Sequence, residues 1–296
     1  MIPWYPATRK EHAVIPSNLG RTYHRPARAL IGWIDPARAA QLLAANNQRP
    51  DLAANTVRDA HMAASLRKLS VLPDGSTTGP SSPELARYLD EFRSRPEAQP
   101  YLAEGWEPQL VDLREARAFQ PVVFTDRLPE LCTSEDLVGL ARVTLPPRSN
   151  TALPVSFDEA SRTLSISGSN PNLRIVGNFV GPVNGTNGPT GIGFVFDLQP
   201  SYVQVAMFQG HAILRDGYHR AFALLRAGIP IVPALVRQFA SSQGILSPSS
   251  LPLEVVLGPS GPNLLDYHNP LVAADVNLPA QRRTLVVQGL ELNLVA

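Results

Sequence analysis

The stretch from Tyr202 to Arg237 changes its hydrophobic period twice, and this constrains the fold more than any other part of the chain. Alternation from Tyr202 to Phe208 predicts a strand, because successive strand side chains point to opposite faces. Gln209-Gly210 suits a two-residue hairpin turn, and His211 to Arg215 supplies the return strand. Asp216-Gly217 then turns the chain. From about Tyr218 the spacing of Ala221, Leu224 and Leu225 predicts a helix buried on one side. Gly228 suits the left-handed position that closes such a helix, and Pro230 stops it. Ile231 to Val236 reads as a further strand. Its Pro233 has no N–H for a ladder, so an edge or a bulge is expected there.

The chemistry of this unit concentrates where the helix begins. A helix N-terminus presents unpaired N–H groups and the positive pole of the dipole. Gly217 has no Cβ and would let a ligand approach the backbone. His219 and Arg220 add donors in the first turn, and an arginine can fork onto two phosphate oxygens. Asp216 can cap the helix or hold a metal-bound water. These residues fit an anion site. They fit equally an ordinary strand–turn–helix with Asp216 as N-cap and Arg220 on the surface.

The same residues resemble the signature of the ParB/sulfiredoxin superfamily, in which a strand leads into Asp/Gly-Gly-x-His/Arg-Arg, an Ala-rich helix, a Gly and a strand. The matching positions are Asp216, Gly217, His219, Arg220, Ala223, Gly228 and Ile229-Pro230. The resemblance implies that Gly217, Tyr218, His219 and Arg220 line a phosphate pocket. It also implies that a nucleoside triphosphate with Mg is the cofactor to look for, with metal ligands unassigned. Asp216 and His219, with Glu115 or Asp112, are the implied catalytic groups, and Asp126 is the reserve carboxylate. Asp112 and Glu115 enter because 111–121 resembles the family's first strand and loop. Sulfiredoxin chemistry needs a Cys where this chain has Tyr218, and the one cysteine, Cys132, lies far away. Partition proteins of the superfamily carry a helix-turn-helix after this fold, whereas 241–296 is Pro-rich. A kinase-like or NTPase activity therefore stands beside a non-enzymatic module that binds a nucleotide, nucleic acid or partner. Nuclease activity is a third reading.

Outside this unit the chain predicts an α+β protein in three stretches: a mainly helical region over 1–106, a core over 107–240 carrying a β-rich insertion at about 140–200, and a β-rich tail over 241–296. Asp35-Pro36 starts a helix to about Ala45, a second runs from Asp51 to Leu69, and Ser82-Pro83-Glu84 starts a third through Phe92. Pro73-Asp74-Gly75 is expected to break the second. Gln109 to Leu113 reads as a strand, and Ser134-Glu135-Asp136 as a helix start. Pro154 to Phe157 and Thr163 to Ile166 read as a hairpin. Gly181 to Gly193 reads as a loop, and Leu253–Leu257 and Thr284–Gln288 as strands. Asp266-Tyr267-His268 can be weighed as metal ligands or as a loop with an exposed His, and Asp197 as a group that reaches the pocket from a neighbouring strand.

Composition removes several classes. With 26 basic and 25 acidic residues the net charge is +1, which gives little support to binding that rests on neutralising many phosphates. The densest basic patch is Arg21, His24, Arg25 and Arg28. A single cysteine excludes an intrachain disulfide and any multi-cysteine metal site. No run of 18 apolar residues occurs, and the N-terminus lacks a signal-peptide layout, so a cytoplasmic protein is expected.

Overall fold

The computed structural model describes residues 24–46, 48–67, 77–78, 82–126, 136–148, 155–160, 162–168, 173–182, 190–198, 200–245, 250–280 and 283–288. The expectations placed on Arg21, on Pro73-Asp74-Gly75, on Cys132 and on Ser134-Glu135 lie outside these residues.

In chain order the elements are β1 (His24–Ala29), α1 (Pro36–Ala44), α2 (Pro50–Ser65), β2 (Thr77–Thr78), α3 (Pro83–Arg93) and α4 (Gln99–Ala103). There follow β3 (Glu107–Asp112), β4 (Arg117–Ala118), β5 (Val122–Phe124), α5 (Leu137–Thr144), β6 (Val155–Asp158), β7 (Thr163–Gly168), β8 (Leu173–Pro182) and β9 (Thr190–Leu198). The last are β10 (Gln204–Phe208), β11 (His211–Asp216), α6 (Tyr218–Arg226), β12 (Ile231–Gln238), α7 (Leu253–Leu257), a 3-10 helix at Leu264–His268, β13 (Ala274–Pro279) and β14 (Arg283–Gln288). The protein is of the α+β class.

The helix starts follow their caps. Asp35 accepts a hydrogen bond from Arg38 N at 3.0 Å, and Ser82 one from Leu85 N at 3.2 Å, each ahead of a proline in the first turn. Leu85, Leu89 and Phe92 are buried as their spacing requires. In α2 the buried stripe is Ala53, Val57, Ala60 and Ala64, so Leu52 faces outward.

The main sheet has the order β2-β3-β12-β10-β11-β4. Gln209 and Gly210 both have positive φ, 49° and 75°, which closes the β10–β11 hairpin with the twist a tight turn needs. Strand β12 lies inside this sheet, antiparallel to β3 and parallel to β10, so Pro233 is not on an edge strand. The local reason is parity. Leu235 N donates to Val203 O on the β10 side, so the missing N–H of Pro233 would point the same way, beyond the end of β10. Strands β3 and β4 stand four places apart in the sheet, yet Leu113–Ala116 joins them. Those few residues span no more than ~17 Å, against ~19 Å for four flat strand spacings. The sheet therefore curls on itself.

Alternation along β12 sends Val232, Ala234 and Val236 to one core with α1, α2 and α6, and Leu235 to a second with α3, α5, Trp106 and Tyr202. The three stretches expected from the sequence interleave. Strand β1 pairs with β13 of the tail and with β5, and Arg117 Nη1 donates to the carbonyls of Val256 and Gly258 at 2.5 and 2.7 Å.

Three local expectations change. Leu253–Leu257 is a helix, with Val256 buried. Strands β8 and β9 extend into the stretch read as a loop: Gly191 and Gly193 are in β9, opposite Gly181 and Phe179. Asp266-Tyr267-His268 is the last turn of a 3-10 helix over Leu264–His268, in which Asp266 accepts from Asn263 N at 2.8 Å and Tyr267 is buried.

Candidate functional site

At the start of α6 the signature residues are drawn inward. Gly217 has a φ of 90°, and a Cβ there would stand 2.8 Å from Val203 Cα and Cγ2. The glycine is required by the approach of Val203, and the space a ligand would use against it is filled. Asp216 does not cap the helix. Its Oδ1 accepts from Gly217 N at 2.6 Å and its Oδ2 from Ser201 Oγ at 3.3 Å. Burial pushes this carboxyl above the usual carboxylate range, opposed by the Gly217 N–H, Arg220, Ser201 and Arg215.

Arg220 is not on the surface. It donates through Nη1 to the carbonyls of Val143 at 3.0 Å and Thr144 at 3.4 Å, and through Nη2 to Ser201 Oγ at 2.6 Å. Those carbonyls close α5, the negative pole of that helix, so the guanidinium acts as its C-terminal cation. Burial lowers its pKa and Asp216 opposes the shift. The buried Tyr218 hydroxyl donates to Leu214 O at 2.5 Å and accepts from Phe119 N at 3.0 Å and Gln120 N at 3.3 Å. It ties α6 to β11 and to the chain leaving β4, and burial raises its pKa. The His219 ring stacks on Phe124 with centroids 6.1 Å apart.

The carboxylates nominated as base stand elsewhere. Asp112 pairs across the sheet with Ile231, at the exit of α6, and a nine-residue helix is ~13 Å long. Its oxygens accept from Arg114 Nε at 2.9 and 3.0 Å and from Arg114 Nη2 at 2.5 Å. Glu115 is exposed. Neither is hydrogen-bonded to or ion-paired with the 216–220 turn. Asp126 accepts from Arg25 Nε and Nη2 at 2.8 and 2.7 Å, and Arg148 holds Asp197 at 2.7 Å. The structure therefore brings Asp216, Gly217 and Arg220 together and leaves Asp112 and Glu115 apart from them.

The open site lies at the other end of the same helix. A cleft of about 370 Å³ is lined by Arg28, Thr125, Phe222, Arg226, Tyr267, His268, Pro270 and Asp275. His219, Phe222 and Arg226, at i, i+3 and i+7, share one helix face, so the stripe runs from the signature into the cleft. The His268 ring stacks on Phe222 with centroids 4.3 Å apart, and its Nε2 is buried with no hydrogen-bond partner among the described residues. Burial, then Arg28, lowers the His268 pKa; a bond to the Phe222 backbone opposes this and Arg226 adds to it. Arg28 is anchored: Nε donates to Tyr267 O at 2.8 Å, Nη2 to Ala273 O at 3.2 Å, and Nη1 stands 3.2 Å from the exposed Asp275 carboxylate. Arg226 is exposed and has no such partner among the described residues.

Sequence reasoning stopped at Arg220 and did not select Phe222, Arg226 or Thr125. The signal that would have found the first two is the heptad spacing from His219. Arg28 and His268 were noticed, but nothing local joins β1 to the 3-10 helix. Among the described residues no group of three or more His, Cys, Asp or Glu is placed to hold a metal ion, and no helix is long and apolar enough to cross a membrane. Comparison with known protein families, with characterised proteins and with solved structures gives no match.

Proposed function

We propose that the protein is a binding module on a ParB/sulfiredoxin-like core, and that its ligand is a small phosphate-bearing molecule with a flat apolar part, a nucleotide being the class that fits. The order β10–β11–α6–β12 supports the kinship. The observation that carries the function is Arg226, a cation with no ion-pair or hydrogen-bond partner among the described residues, which shares a cleft with Arg28 and His268. Phe222 and Tyr267 give the cleft an aromatic wall, and the Thr125 hydroxyl a neutral donor. Its volume falls within the several hundred Å³ of small-molecule sites. Asp275 offsets part of the charge of Arg28, which makes Arg226 the leading contact.

We infer binding without turnover. Phosphoryl transfer needs a positioned nucleophile or base beside the phosphate. The two carboxylates nominated for that role, Asp112 and Glu115, contact neither the 216–220 turn nor the cleft. A nucleic-acid surface has less support, since Arg25 and Arg28 are each matched by an aspartate.

Isothermal titration with AMP, with ATP in the presence and absence of Mg²⁺, and with inorganic phosphate tests this proposal. AMP and ATP are expected to bind more tightly than phosphate, and Arg226→Ala to weaken AMP binding by roughly 10- to 100-fold, as loss of a charge-assisted hydrogen bond does. No heat from any of the three, or equal affinity in Arg226→Ala, overturns it.

A further inference from the structure

Arg28 of β1 and Asp275 of β13 are direct partners across the antiparallel ladder. Partners across a ladder put their side chains on one face, so the strand register itself sets this pair side by side in the wall of the cleft. The two halves are held very differently. The Arg28 side chain is 14% exposed, and its Nε and Nη2 donate to the carbonyls of Tyr267 and Ala273, which fixes the guanidinium. The Asp275 side chain is 86% exposed, and its Oδ2 stands 3.2 Å from Arg28 Nη1. An ion pair so open to water contributes little to stability. The carboxylate is therefore a negative charge placed at a cationic site, not a strut of the fold.

The charges of the cleft can be set against those of a ligand. Arg28 and Arg226 bring two positive charges and Asp275 one negative. Burial, then Arg28, shifts His268 toward its neutral form. Beside Thr125, Asp126 is taken up by Arg25. A single phosphate ester carries about 1.5 to 2 negative charges at neutral pH, which the two arginines can meet. Each further phosphate adds negative charge without a further cation in the cleft wall. A cleft of about 370 Å³ is about 7 Å across, less than the Debye length of roughly 8 Å at physiological salt, so Asp275 is felt throughout it.

We propose that the cleft selects a nucleoside monophosphate over the corresponding di- and triphosphate, and that Asp275 is the residue that sets this choice. The selection rests on the reading of the cleft as a nucleotide site. The monophosphate is held between the two guanidinium groups, with the carboxylate beside it at the rim. A longer phosphate chain brings more negative charge up to that carboxylate. Asp275 is then the repulsive element by which a site rejects a close relative of its ligand.

Isothermal titration of the full chain with AMP, ADP and ATP, without added metal, tests the proposal in wild type and in Asp275→Asn. The asparagine keeps the shape and an acceptor for Arg28 and removes the charge. Wild type is expected to bind AMP about tenfold more tightly than ATP, with ADP between them, as like charges a few ångströms apart near a surface give. Asp275→Asn should tighten ATP by about fivefold or more and AMP by about twofold, with the thermal unfolding midpoint of wild type. ATP bound as tightly as AMP by the wild-type chain, a comparison free of substitutions, overturns the selection. An AMP-to-ATP ratio that Asp275→Asn leaves unchanged overturns the role of Asp275, while the nucleotide reading of the cleft stands. Absence of binding by all three nucleotides overturns that reading, and the selection with it.

Discussion

The two ends of α6 are built from similar side chains and do opposite things. At the N-terminal end, Arg220, Tyr218 and Asp216 are turned inward and occupied by Val143, Thr144, Ser201, Leu214, Phe119 and the Gly217 N–H. At the C-terminal end, Arg226 stands in an open cleft beside His268. The same residue type, six positions apart on one helix, is a structural cation in one place and, in the proposed site, a ligand contact in the other. Residue identity and helix position do not separate these roles; what the guanidinium meets across the fold does.

The sharpest way to break this comparison is to remove the two arginines in turn. Arg220→Ala is expected to cost on the order of 3–5 kcal/mol of stability, because it leaves the buried Asp216 carboxyl without its nearest cation and the last carbonyls of α5 without a donor. Arg226→Ala should stay within about 0.5 kcal/mol of wild type. Chemical denaturation of both reads the contrast, and similar midpoints would erase it.

Gly217→Ala comes next. It combines a left-handed backbone with a contact of 2.8 Å to Val203, and an expected loss is on the order of 2–4 kcal/mol. A ligand-approach role for this glycine predicts the reverse: intact stability and lost binding. Thermal unfolding together with AMP titration of the variant distinguishes the two.

The smallest expected effect sharpens the cleft. His268 is surrounded by Arg28 and Arg226, with Asp275 on the same rim, and its pKa is lowered. A bound anion raises it again. Binding then takes up a proton, so affinity should increase as pH falls through the pKa of the bound form, by less than about tenfold. Nucleotide phosphate itself titrates near this range, so the reading is the difference between wild type and His268→Gln, in which the imidazole contribution is absent. Parallel profiles for the two would remove His268 from the site.

Much of this architecture was legible from local signals. The helix of α6, the hairpin before it and the strand after it follow from a change of period with Gly at both turns. Asp35 and Ser82 announced their helices as caps. The errors share a cause: each depends on what a residue meets far away in sequence. Pro233 sits in an interior strand because β10 ends before reaching it. Leu253–Leu257 is too short for its period to distinguish helix from strand. Gly193 belongs to a strand because Phe179 covers it. The candidate site was half legible. The helix was visible, but the anion site expected at Gly217–Arg220 fell on groups that the fold itself occupies. The turn toward Arg226 depends on β1, β5 and the 3-10 helix meeting over one face of α6, and no local pattern encodes that.

The proposed ligand lies at the Arg226 end of α6, away from the Gly217–Arg220 turn. Backbone amide shifts during an AMP titration of the isotope-labelled chain test it most directly. The largest changes are expected at Thr125, Phe222, Arg226 and His268, with the amides of Gly217 to Arg220 nearly still. The largest changes at Gly217, Tyr218, His219 and Arg220, with Arg226 and His268 unmoved, would contradict it.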